Sequence, residues 1–247
     1  MAIVVTSKGT NNADDSGVTV VLSGLTIVAG STLIACCGNK NGDKVSCVYN
    51  DGADDYSLTL RVSGENSGSQ DFHIYSLDNV AAASGSGSVT YTISGNGNQA
   101  IAVYQVTGLD SAGSIDKTAS ATNRNTAFDS GNTAETSQAD ELIVGGATQG
   151  NSTTTFDSWT GTVTDNIQTD GVGTCGLGCA TKIISSAQAC NAAGILSAKD
   201  YYAAAVATFK AAAAPGGWTG KVLGVDSANI AKICGVAIAD IAKVGGV

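Results

Sequence analysis

The sequence predicts an all-β protein: an antiparallel β-sandwich of the jelly-roll kind, followed by a short C-terminal repeat arm. Three observations support this fold class. Short runs rich in Val, Ile and Thr are bounded by Gly, Asn, Asp and Ser, as strands are bounded by turns. The 247 residues include 32 glycines but one proline, which favours many tight turns. From Gly220 onward, the chain repeats itself with a period of eleven residues.

Each predicted strand is a short β-branched or alternating run. In the strand from Ser88, for example, Val89 and Tyr91 would share one face and Thr90 the other, which is the period of a half-buried strand. The spacing of the turns favours a sandwich or a barrel. The predicted strands are Ile3–Thr6, Val18–Ser23, Thr32–Cys37, Val45–Tyr49, Tyr56–Val62, Asp71–Leu77, Ser88–Ile93, Ala100–Val106, Leu142–Thr148, Gly161–Thr164, Gly178–Ile184 and Tyr201–Lys210.

Two pairs of segments within the predicted sandwich resemble each other. AGSTLIAC (Ala29–Cys36) matches QADELIVG (Gln138–Gly145), and Ile101–Leu109 matches Ala203–Ala211. A two-sheet sandwich built from two related halves would explain both matches, and chance similarity is the alternative. Between the halves, the polar segment Asp110–Gln138 is predicted to be a long surface connection or an edge hairpin.

The sandwich body is predicted to span residues 1–214 and the arm residues 215–247, because Pro215 and two following glycines interrupt the strand pattern. In the arm, Lys, Gly and Val recur in register every eleven residues, starting at Lys221. A unit this short cannot bury its own apolar face, so it must stack on copies of itself, on the body or on neighbouring subunits. The repeat therefore indicates an assembly element.

The arm is predicted to be extended β-structure with turns. Its apolar residues also recur at helical spacing, and eleven residues make three helical turns, so a helix is the alternative. Each unit contains a Gly, which costs a helix about 1 kcal/mol, and Val and Ile dominate, so we favour strands. The predicted assembly interface consists of Trp218, Val222, Val225, Ile230, Ile233, Val236, Ile238, Ile241 and Val244.

Composition excludes several classes of protein. The net charge of −9 repels phosphate and acidic membranes, so we expect neither nucleic-acid binding nor membrane insertion. The N-terminal MAIVVTSKGT lacks a basic region followed by a long apolar run, so no signal peptide or transmembrane helix is expected. Seven cysteines without a recognisable spacing favour buried, reduced thiols over a disulfide framework, with Cys175 and Cys179 as the pair to test.

Nothing in the sequence indicates catalysis. His73 is the single histidine, and its alternation with Phe72 and Ile74 predicts the polar face of a strand. One histidine excludes any site with two His ligands, and a Ser-His-Asp triad would have to use it. No GxSxG surrounds a serine. We therefore predict no enzymatic activity, no catalytic residue, no cofactor and no metal.

Three other motifs have ordinary interpretations that are favoured over functional ones. The loop Asn50–Asp55 gathers carboxylates that could hold Ca²⁺ but lacks the EF-hand spacing, which favours a hairpin turn. The letters of Gly171–Gly176 match a dinucleotide fingerprint, but no βαβ unit surrounds them. Trp159 and Trp218 could stack on a sugar, although so sparse a set of aromatics more often fills a core or an interface.

The chain resembles β-sandwich virion proteins of tailed bacteriophages. The resemblance is carried by VAGSTLIA (Val28–Ala35), ADELIVG (Ala139–Gly145) and YAAAVATFKA (Tyr202–Ala211). The arm adds I-A-K-x-x-G-V units at Ile230–Val236 and Ile241–Val247, similar to short C-terminal repeats of phage fibre and capsid-surface proteins. The high cysteine count departs from what a particle exposed to oxidants would be expected to carry.

The resemblance implies a structural protein on the capsid surface, as a decoration or head fibre, or in a tail fibre, with no catalytic residues. Implied partners are further copies of the chain, as a homotrimer or another homo-oligomer, and other virion proteins such as the major capsid protein. The protein would be made in the host cytoplasm and released in the virion by lysis. The alternatives are a glycan-binding adhesin module that recognises host surface glycans and, less favoured, a polysaccharide-degrading enzyme.

Overall fold

Every secondary-structure element that the structure describes is a β-strand, and all strand pairs are antiparallel, which confirms the all-β prediction. The chain divides into two compact units, Ala2–Ala211 (the body) and Ala212–Val247 with Met1 (the arm). The computed structural model describes residues 2–13, 17–66, 70–151, 153–163 and 175–213, the backbone of 165–169, and in the arm the backbone of the pairs 221–222, 225–226, 232–233 and 236–237.

The first half of the body, residues 2–109, is a jelly roll. Its strands are β1 (Val4–Ala13), β2 (Thr19–Ile27), β3 (Thr32–Lys40), β4 (Lys44–Asn50), β5 (Asp55–Ser57), β6 (Thr59–Glu65), β7 (Gln70–Leu77), β8 (Ala83–Ile93) and β9 (Asn98–Thr107). They pair from the outside inwards, β1 with β9, β2 with β8, β3 with β7 and β4 with β5. The result is sheet 1, in the order β2-β8-β4-β5, and sheet 2, in the order β1-β9-β3-β7-β6. The predicted jelly-roll class is confirmed.

The second half, residues 110–211, repeats the arrangement of sheet 2. Its strands are β10 (Ile115–Asp129), β11 (Glu141–Gln149), β12 (Phe156–Trp159), β13 (Asp165–Thr169), β14 (Gly176–Ile184) and β15 (Ala193–Lys210). They form sheet 3, in the order β10-β15-β11-β14-β13, with β12 paired to the start of β15. Numbered in chain order within each sheet, both five-strand paths run 1-5-2-4-3. The body is thus two related halves with three sheets, and the expected two-sheet sandwich is wrong in that respect.

The two sequence matches fall on corresponding strands but on opposite faces. Ala29–Cys36 and Gln138–Gly145 lead into the second strand of sheets 2 and 3, and the other pair forms the last strand of each. Leu33, however, faces sheet 1 in its own half, whereas Leu142, aligned with it by letters, faces the other half. The halves therefore correspond by topology and not residue by residue along these matches.

Sheet 2 lies between sheets 1 and 3 and is buried on both faces. This explains why β3 is apolar almost throughout, since only a strand buried on one face needs to alternate. Between sheets 1 and 2 the core is filled by large side chains such as Tyr49, Tyr91 and Ile101. Between sheets 2 and 3 many are small, including Ala100, Ala102, Cys36, Ala203, Ala205 and Ala207.

The small residues allow sheets 2 and 3 to approach closely. A Cβ added at Gly38 in β3 would meet the methyl carbon of Thr148 in β11, and one at Gly64 in β6 would lie 2.8 Å from the carbonyl oxygen of Ala204 in β15. A hydrogen bond also crosses this contact, from Thr148 Oγ1 to the carbonyl of Asp71 at 3.1 Å. Glycine at these positions is therefore required by space between the halves.

Two sequence predictions about the second half are wrong. Much of the predicted connection Asp110–Gln138 is the fifteen-residue strand β10, whose residues are largely exposed because it forms the edge of sheet 3. An edge strand whose residues are mostly exposed needs few apolar side chains, so the periodicity missed it. Of the predicted strand Gly161–Thr164, the described residues 161–163 are not in a strand, and the strands nearby are β12 and β13.

Candidate functional site

The arm contains two short β-hairpins in the same register of the eleven-residue repeat. In the first, β16 (Lys221–Val222) pairs with β17 (Val225–Asp226), and in the second, β18 (Lys232–Ile233) pairs with β19 (Val236–Ala237). Val222 opposes Val225, and eleven residues later Ile233 opposes Val236. The described backbone of the arm is therefore extended, as the glycines and β-branched residues indicate.

Four of the nine predicted interface residues are in these hairpins. Val222 pairs with Val225, and Ile233 pairs with Val236, one pair in each hairpin. The other five, Trp218, Ile230, Ile238, Ile241 and Val244, lie outside the described residues. The structure thus gives the repeat a regular backbone unit but does not test the interface.

The body contains a buried polar network around His73. His73 Nδ1 lies 2.8 Å from Ser63 Oγ, and Nε2 lies 3.2 Å from Asn39 Oδ1, which also accepts a 2.5 Å hydrogen bond from the Tyr91 hydroxyl. Because an amide oxygen can only accept, we assign the ring proton to Nε2, and the single proton of the Ser63 hydroxyl has two acceptors, His73 Nδ1 and Glu65 Oε1 at 2.6 Å. Outside Ser63, the Glu65 carboxylate pairs with Lys44. The prediction that His73 sits on a polar face is wrong, since its side chain points into the core toward sheet 1.

A hydroxyl, an imidazole and an amide also lie in series in enzyme sites that use a Ser or Cys nucleophile. The surroundings of this network, however, favour a structural role. His73 is 0% exposed, and its ring contacts those of Tyr75 and Tyr91. Burial, with a smaller effect of Lys44, lowers the pKa of His73 to about 3, so the ring stays neutral and is a weak base at neutral pH. The network connects buried side chains at one end of the core between sheets 1 and 2.

A second buried polar group is the carboxyl of Glu141, at the start of β11. It is 0% exposed, and neither oxygen has a hydrogen-bond partner among the described residues, although Thr208 and Asp116 are close enough to affect it. Burial, together with the charge of Asp116, raises the pKa of Glu141 to about 7. Asp116 itself accepts hydrogen bonds from Ser137 N and Lys117 Nζ. The sequence offered no signal for Glu141 beyond its place before an apolar strand.

The acidic loop Asn50–Asp55 is the turn of the β4–β5 hairpin. Asp51 N donates to the carbonyl of Asp54 at 3.1 Å, and Asp51 Oδ1 accepts from the backbone N–H groups of Ala53 and Asp54. These bonds lower the pKa of Asp51 and occupy its carboxylate within the loop. Among the residues described, no group of three or more His, Cys, Asp and Glu side chains could hold a metal ion.

The glycine-rich segment Gly171–Gly176 leads into a strand. Gly171–Thr174 lie outside the described residues, but Gly176 begins β14, so a strand follows where the dinucleotide fingerprint needs a helix.

All six cysteines that the structure describes are free and buried, which confirms the prediction of buried thiols for this part of the chain. Cys36 faces sheet 3 and the neighbouring Cys37 faces sheet 1, as consecutive strand residues should. Burial raises the pKa of Cys175 to about 12 and that of Cys190 to about 11. These thiols therefore behave as small apolar side chains and not as nucleophiles.

The aromatic residues of the second half mainly fill its core. Phe128 contacts Phe156 and Trp159 edge to face, with ring centroids 5.5 and 5.2 Å apart. Trp159 is thus half-buried and packs against the core, whereas Trp218 lies outside the described residues. The exposed aromatic of this half is Tyr201, 45% accessible, with the Arg124 guanidinium 5.1 Å from its ring centroid.

No protein-family model matches the chain, and no curated protein matches it. No helix among the described residues is long and apolar enough to cross a membrane.

Proposed function

We propose that this protein is a structural component of a tailed-phage particle, on the capsid surface or in a tail fibre, and that its arm joins it to neighbouring subunits. The observation that carries the proposal is the repeated hairpin of the arm. A two-by-two residue hairpin has no core of its own and is marginal in water, so two of them in series need a surface to cover them.

The apolar content of the arm supports the same conclusion. Val222, Val225, Ile233 and Val236 lie in the paired strands, and burial of each such side chain is worth about 1.5–3 kcal/mol. A solvated arm would leave this surface in water and favour aggregation. Packing against other copies, in a homotrimer or another homo-oligomer, or against a capsid protein would bury it.

The body suits a scaffold. Its two halves are packed by small residues at close approach, and the polar groups that could do chemistry, His73 and Glu141, are 0% exposed. Such a body would be rigid and would expose its loops and strand edges at the surface. The choice of a tailed-phage particle in this proposal rests on the sequence resemblance to phage virion proteins.

The test compares full-length variants by sedimentation. Val222→Asp with Ile233→Asp places charges in both hairpins, whereas Ser227→Asp with Asn229→Asp adds the same charge to the same arm away from them. We expect the first variant to lose the oligomer and the second to keep it, with the unfolding temperature of the body unchanged in both. Equal masses for all three proteins would contradict the assembly role of the arm.

A further inference from the structure

The longest sheet edge in the described part of the body belongs to β10, and it differs from the edges formed by β1, β2, β5 and β6. β5 has three residues, β1 is broken by a bulge between Ser7 and Gly9, and β2 has irregularities from Ser23 to Thr26. β6 is also bulged, near Arg61. Short strands, bulges and charges are the means by which native sheets prevent pairing between edges.

None of these devices interrupts the middle of β10. Its register with β15 is regular from Thr118 to Asn125, and the run Thr118–Asn123 contains no charge, Gly or Pro. Thr118, Ser120 and Thr122 are exposed. No strand among the described residues pairs with the outer edge of β10. The outward N–H and C=O groups of its middle, residues 118–122, are therefore available to a further strand, whereas the N–H groups of Arg124 and Thr126 donate to the side chains of Asn123 and Asn125.

The surroundings of β10 favour a second copy of the chain as the source of that strand. In the neighbouring layer β6 lies against β10, so the edges of sheets 2 and 3 end side by side. A two-fold axis perpendicular to sheet 3 would continue that sheet and keep both copies of sheet 2 on the same side, with their β6 edges next to each other.

Charge points to the same partner. The chain carries a net charge of −9, so two copies repel over most of their surfaces. β10 is neutral, because Asp116 and Asp129 balance Lys117 and Arg124. Two copies can therefore approach along β10 with less repulsion than an average surface would cause.

We propose that β10 pairs antiparallel with β10 of a second copy, centred on Ser120. In this register Thr118 opposes Thr122, Ala119 opposes Ala121 and Arg124 opposes Asp116. Two identical strands related by a two-fold axis can change register only in steps of two in the sum of paired numbers, and the neighbouring registers would set Arg124 opposite Ser114 or Thr118 instead of opposite Asp116. The contact is independent of the arm, so the body would have a two-fold interface of its own.

The test is a charge swap in the full-length chain. Thr118→Lys with Thr122→Lys places lysines opposite each other twice in the proposed dimer, and Thr118→Glu with Thr122→Lys places opposite charges there. Thr19→Lys with Ser23→Lys adds the same two charges to the exposed side of β2 as a matched control. Each variant is made twice, once with the natural arm and once with Val222→Asp and Ile233→Asp in the arm. The comparison separates this contact from assembly through the arm.

We expect the double-lysine variant to weaken dimerisation by roughly three- to tenfold in sedimentation equilibrium, since each cross-strand pair contributes a modest energy. The Glu–Lys variant should restore it, and the β2 control should match the natural protein. Exchange of those amides of residues 118–122 that point away from β15 should slow as concentration rises. Unchanged dimerisation in the double-lysine variant, or protection of these amides that does not depend on concentration, would overturn the proposal.

Discussion

Replacement of Gly38 by Ala should loosen the contact between the two halves of the body. The new methyl group would meet Thr148 Cγ2 directly and lie 3.3 Å from Leu177 Cδ1. Overpacking of this kind costs about 1–3 kcal/mol. Ala also lowers the conformational entropy of the unfolded chain, which stabilises the folded protein by about 0.4–1 kcal/mol. The net loss should be about 1–2 kcal/mol, which for a body of this size lowers the unfolding temperature by roughly 2–8 °C.

A second substitution tests whether Thr148 is the cause. Thr148→Ser removes the methyl carbon but keeps the hydroxyl that donates to the carbonyl of Asp71. Alone it should cost about 1 kcal/mol. Combined with Gly38→Ala it should restore most of the stability, because the new methyl fills the space of the old one.

Urea unfolding at fixed pH measures the four corners of this double-mutant cycle. Thr208→Ser, a buried Thr of sheet 3 that does not contact Gly38, serves as the matched control and should give no rescue. If the costs of Gly38→Ala and Thr148→Ser simply add, the close approach of sheets 2 and 3 at this point is wrong.

Two further predictions concern buried groups. The pKa of Glu141 rises from 4.5 to about 7 on folding, so the folded body holds a proton that the unfolded chain releases, and stability should fall as pH rises from about 4.5 through 7. Glu141→Gln should remove up to about 3 kcal/mol of the difference in unfolding free energy between pH 5 and pH 8, and an unaltered pH profile would contradict this. In a Cys234→Ser background, the six described thiols should react with a thiol reagent on the timescale of unfolding; a native thiol that reacts at once would refute their burial.

The sequence pattern predicted strands correctly where one face or both faces of the strand are apolar. The runs of β3, β9 and β11 were recognisable because their residues are apolar, and their lack of alternation was itself a sign of burial on both faces. The third sheet was nevertheless missed, because periodicity within one strand does not say which sheet the strand joins. β10 was missed because a polar, exposed edge strand and a polar loop have the same composition.

Candidate sites were harder to predict, because burial is a property of the assembled sheets. His73 lies between Phe72 and Ile74, so the sequence pattern places it on a polar face. In the structure both faces of β7 are buried, and the His73 ring contacts Tyr91 of the opposite sheet. Glu141 precedes an apolar run and reads as solvated, yet it is 0% exposed. Repetition, in contrast, is visible in sequence alone, and the arm hairpins fall where the eleven-residue period places them.

The pairing of first strand with last has a consequence for synthesis on the ribosome. The first half cannot close until Thr107 is available to pair with Val4, and the second half needs Phe209 to pair with Ile115. At about 5–20 residues per second, the interval between the two closures is on the order of 5–20 s. During that time the face of sheet 2 that later meets sheet 3 has no cover, so the nascent chain would depend on holding chaperones.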